Sequence, residues 1–259
     1  MQEGVSARRL PGSLPRPRGR VRRLLSRGVR AIGPAWLTAP LGSNEYADHV
    51  LAWGEPMRAD LVRRGRHEDS IHVVGSPAFD HLSARAPMAP QGLRTVLFAQ
   101  QPQPNSSAEM DACQRIIEIC ASELGCRLLV RPHPRGRLSR GAVEALARRT
   151  ANPELVETID TGSLEQHLHR ASVMLTYYST SAYHAVAQGL PLVLADWVSE
   201  MYRLDAPDFG AAVSVTSPNN LAAGLKRALD DASVRQALYE GAGRWLEAHV
   251  GPLDGGAAR

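Results

Sequence analysis

The sequence predicts an α/β protein built on a doubly wound parallel sheet. Apolar strand-like runs alternate with amphipathic helical runs along most of the chain, and the connections between them are short. Runs such as "RTVLFAQ" are apolar along nearly their whole length. Because strands of this kind need covering on both faces, they favour a parallel sheet with helices on each side.

Each element follows from a local pattern, beginning at Asp48. A strand is a short apolar run, whereas a helix repeats its apolar residues every three or four positions and ends at a glycine. The predicted strands are, in chain order, "DHVLAWG", "SIHVVGSP", "RTVLFAQ", "CRLLVRP", "ELVETID", "SVMLTYY", "LPLVLAD" and "AAVSV". The predicted helices are "EPMRADLVRRG" closed by Gly65, a segment from Ser106 or Ser107 through Leu124, "RGAVEALARR", "SLEQHLHRA" capped by Ser163, "STSAYHAVAQG" stopped by Gly189, and one long stretch from "SPNNLAAG" to "WLEAHV".

These patterns divide the chain into three parts. Residues 1–40 are predicted to be a basic, largely disordered arm, because Pro, Gly and Arg dominate its first half. Residues 41–89 form a small strand–helix–strand unit, and residues 90–259 a Rossmann-like domain. Within the arm, residues 21–37 carry apolar residues near helical spacing between arginines. That pattern fits either a basic helix lying on a membrane surface or a fragment of a packed helix.

Composition narrows the class of protein. The chain has no apolar run near the ~20 residues that a bilayer span needs and no signal-peptide pattern, which predicts a cytoplasmic protein. The net charge is +4, but residues 1–30 hold nine arginines and one glutamate, so the rest of the chain is at −4. Since the basic residues are confined to one arm, nucleic acid is not a predicted partner. The spacing of Cys113, Cys120 and Cys126 indicates neither a zinc site nor a disulfide framework.

The candidate site follows from where polar segments stand in the predicted sheet. Ligands of open α/β sheets bind at the carboxyl ends of the strands, and three such ends carry the segments "AQQPQPNSS", "RPHPRGR" and "TYYSTSAYH". The last places Ser179, Thr180 and Ser181 at the first turn of a helix, where free backbone N–H groups favour a phosphate. The alternative is simple N-capping, which needs only one of the three hydroxyls.

His133 lies between two prolines at the end of its strand. Prolines restrict the backbone on both sides, so the imidazole is a rigid donor suited to a phosphate or a leaving-group oxygen, although a lone histidine is also commonly structural. Arg131 and Arg135 flank it and are predicted either to pair with a pyrophosphate or to be solvated. No Asp-x-Asp metal motif stands at a strand end, so no metal and no cofactor are predicted.

Taken together, "VLAWGEPMRADLVRRG", "IHVVGSPAFD", "RPHP" and "YYSTSAYHAVAQGLPLV" resemble the C-terminal half of GT-B-type transferases that use nucleotide-activated donors. The nearest members are bacterial surface-polysaccharide enzymes: sialyltransferases and polysialyltransferases using CMP-sialic acid, and CDP-glycerol glycerophosphotransferases. The resemblance covers about residues 46–250. It implies that His133 contacts the donor's nucleotide phosphate as the catalytic residue, and that Ser179, Thr180 and Ser181 bind phosphate.

Two departures from the family pattern bear on the function. The resemblance implies a ribose-binding glutamate where this chain has His184, so His184, Glu200 and Gln100 are the candidates for holding the nucleoside, and a cytidine donor (CMP- or CDP-linked) is expected over UDP or GDP. The second departure is that residues 41–89 are only a remnant of an N-terminal GT-B domain, which would bind the acceptor.

The resemblance implies a transferase of a nucleotide-activated sugar or polyol phosphate in surface polysaccharide biosynthesis. Its acceptor would be a saccharide or a lipid-linked molecule, and the latter would give residues 21–37 a reason to contact the inner face of the membrane. Two alternatives stay open: an enzyme like UDP-N-acetylglucosamine 2-epimerase, which shares the fold, and a non-catalytic remnant that binds a donor or a protein partner.

Overall fold

Two parallel sheets carry the part of the chain described by the computed structural model, which is residues 48–80, 93–103, 106–134, 136, 138–198, 203–251 and 256–257. The strands are β1 Val50–Ala52, β2 Ile71–Val73, β3 Thr95–Ala99, β4 Arg127–Arg131, β5 Val156–Thr158, β6 Val173–Thr176, β7 Leu192–Ala195 and β8 Val213–Val215. The helices are α1 Glu55–Arg63, α2 Ser106–Ile117, α3 Arg140–Ala147, α4 Leu164–Leu168, α5 Ser181–Ala187, α6 Leu221–Asp230 and α7 Ala232–Val250.

The large sheet has the order β5-β4-β3-β6-β7-β8, and every neighbouring pair is parallel. All residues of β3, β6 and β7 are buried. Alternate side chains of a strand point to opposite faces, so Val96 and Phe98 enter one apolar core while Leu97 and Ala99 enter the other. The predicted doubly wound parallel sheet is therefore confirmed.

Three helix boundaries differ from the predicted ones. The helix predicted through Leu124 passes from α2 into a π-helix at Glu118–Glu123, where the Leu124 N–H donates to the Ile119 carbonyl, five residues back. The predicted C-terminal stretch divides at Asp231, because its carboxylate accepts the N–H groups of Ser233 and Val234 and so starts α7. The helix predicted from Ser179 begins as α5 at Ser181.

The unit at residues 48–80 packs against the end of α7. Its strands pair in parallel, with Val50 beside Ile71, and the Ser76 N–H donates to the Val250 carbonyl at 2.8 Å. The backbone of Gly54 approaches α7 so closely that an added Cβ would lie 2.1 Å from the Ala248 carbonyl oxygen. Because this contact leaves no room for a side chain, the unit can pack against the helix only with glycine at position 54.

A buried polar cluster joins α7 to α5. The Trp245 indole N–H donates to the Asp205 carboxylate at 2.9 Å, and the His249 Nε2 lies 3.0 Å from the same carboxylate. The Tyr183 hydroxyl lies 3.2 Å from His249 Nδ1, and its ring stacks on that of Trp245 with centroids 4.0 Å apart. Burial raises the pKa of Tyr183, with a further contribution from Asp205, so the phenol keeps its proton as a hydrogen-bond donor.

The three cysteines are all buried and free. Burial raises the pKa of Cys113 to about 12, and burial is also the main cause of the raised pKa of Cys120. Thiols in this state are poor nucleophiles and poor metal ligands. Within the described ranges, no helix combines the length and the apolar character needed to cross a membrane.

Candidate functional site

The candidate site lies where the direction of winding reverses in the large sheet. From β3 the chain continues to β4 on one side, and it later returns to pair β6 with the other side of β3. Loops that follow such strands diverge and open a crevice at the carboxyl edge, which is the usual ligand site of open α/β sheets. Residues 100–103, the turn around His133 and residues 177–180 follow β3, β4 and β6, so they are the segments that border a crevice at this edge.

The loop after β3 is held by a buried set of amides and one carboxylate. Gln100 is 2% exposed and Glu109 is 1% exposed. The Gln100 Nε2 donates to Glu109 Oε1 and to the Gln101 carbonyl, both at 2.6 Å, and the Gln103 N–H donates to Glu109 Oε2 at 3.2 Å. Gln100 is therefore fixed in the wall of the crevice and supports the loop from inside.

The ends of β3 and β6 are tied to each other across the crevice. The Thr176 hydroxyl donates to the Gln101 Oε1 at 2.9 Å, and the Tyr178 hydroxyl donates to the Pro102 carbonyl at 3.0 Å. Both contacts join loops about 75 residues apart in sequence. They fix the separation of the two loops that border the crevice.

His133 lies in a tight turn at the end of β4. Its backbone N–H donates to the Gln100 Oε1 at 2.9 Å, and its carbonyl accepts the N–H of Gly136 at 2.8 Å. A Cβ at Gly136 would lie 3.1 Å from both the Gln100 Oε1 and the His133 carbonyl oxygen, so the turn suits glycine. The structure thus brings two predicted residues, Gln100 and His133, into direct contact, with the imidazole half-buried at the strand end.

The hydroxyl run after β6 is half-buried at the start of α5. The Ser179 Oγ accepts the Ser181 N–H at 3.2 Å, so this hydroxyl caps one backbone donor of the first turn, as the alternative interpretation expected for one of the three. The N-cap residue itself is Thr180, and its side chain makes no capping hydrogen bond. No hydrogen bond within the described part of the chain uses the hydroxyls of Thr180 or Ser181. Two hydroxyl groups therefore border the crevice in addition to the cap.

The remaining predicted residues lie in different surroundings. His184 packs its ring against Phe79 of the N-terminal unit, with centroids 4.6 Å apart. Arg131, at the end of β4, is half-buried and contributes to the field around His167. Arg135 and Glu200 lie outside the described residues. The Asp80 carboxylate accepts the Ala257 N–H at 3.2 Å.

Three polar residues at this edge were missed by the sequence analysis. Glu109 stands on a helix whose charged residues otherwise read as a solvated face, and only the glutamine-rich stretch before it hinted at a buried partner. Asp196 follows β7. Burial raises the pKa of its carboxyl, and the hydrogen bond donated by the Ser214 hydroxyl lowers that pKa only in part. His167 is 5% exposed, and its Nδ1 has no partner in the described structure. Among the residues described, no group of three or more His, Cys, Asp or Glu is placed to hold a metal ion.

His167 gives the fold a dependence on pH. Burial lowers the pKa of its imidazole from 6.5, helped by the charges of Arg131 and Arg170. The unfolded chain then binds the proton more readily, so stability that is full above pH 6.5 is lost as the pH falls through the lower, folded-state value. We expect His167→Gln to remove this acid sensitivity in urea unfolding measured from pH 7.5 to 5, whereas His169→Gln, an exposed neighbour, keeps it. Identical pH profiles for His167→Gln and the wild type would contradict the assignment.

Comparison with solved structures places this architecture among GT-B-type folds. The chain is similar to S. aureus MnaA, determined with UDP, at a TM-score of 0.59 and 16% identity over 82% of this chain and 57% of that one. UDP-GlcNAc 2-epimerase from Neisseria meningitidis, bound to UDP-GlcNAc, matches with a TM-score of 0.60 and 12% identity, over 82% of this chain and 60% of that one. A variant of the wall teichoic acid polymerase TagF matches with a TM-score of 0.53 and 15% identity, over 83% of this chain and 56% of that one.

These likenesses concern the fold. The chain spans between about half and two thirds of the length of these solved proteins. No family model matches the sequence, and no curated protein matches it.

Proposed function

We propose that the chain binds a nucleotide-activated sugar or polyol phosphate at the carboxyl edge of its large sheet and transfers it in building a surface polysaccharide. The observation that supports the proposal is the hydrogen bond from the His133 turn to the buried Gln100 at the carboxyl edge of the sheet. The half-buried hydroxyls at the start of α5 follow β6, which is parallel to β3, so they stand at the same edge. Three of the structures with the same fold were determined with a nucleotide or nucleotide sugar, namely UDP, UDP-GlcNAc and UDP-glucose.

In this mechanism the donor phosphates lie between the His133 turn and the start of α5. The hydroxyls of Thr180 and Ser181, at the positive end of α5, donate to the phosphate oxygens. The His133 imidazole, with Arg131 and Arg135, offsets the negative charge that grows on the nucleotide as it leaves. His184, Glu200 and Gln100 are assigned to the nucleoside side of the site, of which Gln100 acts through the loop that it supports.

The acceptor is proposed to be a saccharide or a lipid-linked molecule. The arginines of residues 21–37 would then attract the anionic headgroups at the inner face of a membrane. This segment lies outside the described residues, and its role rests on the charge of its sequence.

We expect cytidine nucleotides to bind more tightly than UDP or GDP. An imidazole at position 184, packed on Phe79, does not accept both ribose hydroxyls as a carboxylate does, so affinity depends mainly on the phosphates. The pyrimidine nucleotides are then favoured over GDP by size, and cytidine is expected over uridine because the sequence resembles transferases that use CMP- and CDP-linked donors. Thermal shift with CMP, CDP, UDP and GDP at equal concentration measures this, because ligand binding to the folded state raises the unfolding temperature. A larger shift with UDP would reject the cytidine preference, and no shift with any nucleotide would reject donor binding itself.

A second candidate, an epimerase-like activity, is favoured by one observation. The UDP-GlcNAc 2-epimerase from Neisseria meningitidis matches this fold with a TM-score of 0.60, higher than TagF at 0.53. Incubation with UDP-GlcNAc in the absence of any acceptor separates the two functions. Formation of the 2-epimer supports the second candidate, whereas an unchanged sugar nucleotide supports the transferase or a binding protein without catalysis.

A further inference from the structure

Glu109 is a buried carboxylate whose partners, in the described part of the chain, are amides and not cations. It is 1% exposed, on the first turn of α2, and accepts from the Gln100 side chain and the Gln103 backbone. Removing a carboxylate from water costs several kcal/mol unless hydrogen bonds replace the lost hydration. A neutral side chain of the same shape would avoid that cost. The presence of a carboxylate at this position is therefore explained by the hydrogen bonds that it accepts.

The two contacts of Glu109 determine which way the Gln100 amide faces. The Gln100 Nε2 has two acceptors at 2.6 Å, Glu109 Oε1 and the Gln101 carbonyl, and its Oε1 faces the N–H of His133 at 2.9 Å. With acceptors on one side and a donor on the other, only one amide orientation satisfies all three contacts. The carboxylate therefore sets the orientation of Gln100, and Gln100 in turn holds the His133 backbone.

We propose that Glu109 is a positioning residue for the donor site, acting through Gln100 to fix the turn that presents His133. This inference rests on the proposed function. Both oxygens of Glu109 accept hydrogen bonds, so only a carboxylate fits: glutamine at this position places an NH2 group against the Gln100 amide or the Gln103 N–H. Either arrangement leaves one buried donor facing another, at the Gln103 N–H or at the Gln100 amide, and so weakens the contacts that hold Gln100 in place.

The first experiment measures the hydrogen bonds themselves and needs no ligand. In Glu109→Gln, the His133 N–H is expected to exchange with solvent about tenfold faster, as loss of about 1.4 kcal/mol of local protection implies. Asp111→Asn makes the same carboxylate-to-amide change at an exposed site on the same helix and should leave the exchange unchanged. Equal exchange of the His133 N–H in the wild type and Glu109→Gln would overturn the proposal.

The second experiment tests whether the positioning reaches the site. Calorimetry with CDP and UDP should show about tenfold weaker binding for Glu109→Gln, but no further loss when the change is made in a His133→Ala background. An equal loss in both backgrounds would show that Glu109 acts on the site by another route and overturn the proposal. If the wild type binds neither nucleotide, the proposed function fails, while the exchange result still decides whether Glu109 orders the turn.

A second variant covers the case in which Glu109→Gln does not fold. Gln100→Met keeps the length of the side chain, removes the amide, and leaves Glu109 its contact with the Gln103 N–H. It should accelerate His133 exchange and weaken nucleotide binding as Glu109→Gln does. If Gln100→Met shows the exchange rate and the affinity of the wild type, Gln100 does not connect Glu109 to His133, and the proposal is overturned.

Discussion

Replacing His133 with alanine is expected to weaken binding of CDP or UDP about 10- to 150-fold, because losing a charge-assisted hydrogen bond costs about 1.5 to 3 kcal/mol. The fold should survive, since the imidazole is half-buried at a strand end. The backbone contacts with Gln100 and Gly136 do not use the side chain. Isothermal titration calorimetry measures the change in affinity, and urea unfolding checks that stability is unchanged.

The control for this variant is His67→Ala, because His67 is exposed in the N-terminal unit. It should bind nucleotide like the wild type. Unchanged affinity in His133→Ala would remove His133 from the donor site. Equal weakening in both variants would point to a general effect of losing a histidine and not to a phosphate contact.

Asp205→Ala is expected to lower the free energy of unfolding by about 2 to 5 kcal/mol. The substitution leaves two buried donors, the Trp245 indole N–H and the His249 ring, without their acceptor, and each such loss costs about 1 to 3 kcal/mol. It also weakens one of the two contacts between α7 and α5, because His249, which contacts the Tyr183 hydroxyl, loses its carboxylate partner, while Trp245 still stacks on the Tyr183 ring. Urea unfolding followed by circular dichroism measures the change.

Asp208→Ala provides the matched control, since Asp208 pairs with Arg203 at 3.4 Å and its side chain is 57% exposed. An exposed ion pair of this kind contributes about 0 to 1 kcal/mol. Asp205→Ala and Asp208→Ala should therefore separate clearly. Similar unfolding free energies for the two variants would show that the cluster around Asp205 does not hold α7 in place.

The sheet was predictable because its signal is local. The buried strands β3 and β6 show their burial in four and three consecutive apolar residues, and a glycine marks the end of α1, α5 and α7. The place of His133 at a strand end followed from the same patterns. The start of α5 was not predictable to the residue, because one hydroxyl of the Ser/Thr run had to be chosen as the cap.

The supporting contacts of the site were not predictable, because they join residues far apart in sequence. Gln100 and His133 are 33 residues apart, and Asp205 and Trp245 are 40 apart. The sequence patterns singled out neither Glu109 nor Asp205. Which polar residue becomes buried depends on the donors that the folded chain brings to it, and that information is absent from any local window.

The position of α7 has a consequence for the order of folding. This helix follows every strand in the chain, yet its last residues close against Gly54 and Ser76, more than 170 positions earlier. Closing so long a loop costs chain entropy before the contact can stabilise the fold. During synthesis the first strand–helix–strand unit therefore emerges without its packing surface, and it must wait unprotected until α7 leaves the ribosome. Phe79, which is buried in the core cluster that includes Val250 of α7, lacks that cover until then, so this is the stage at which chaperone binding or aggregation competes with folding.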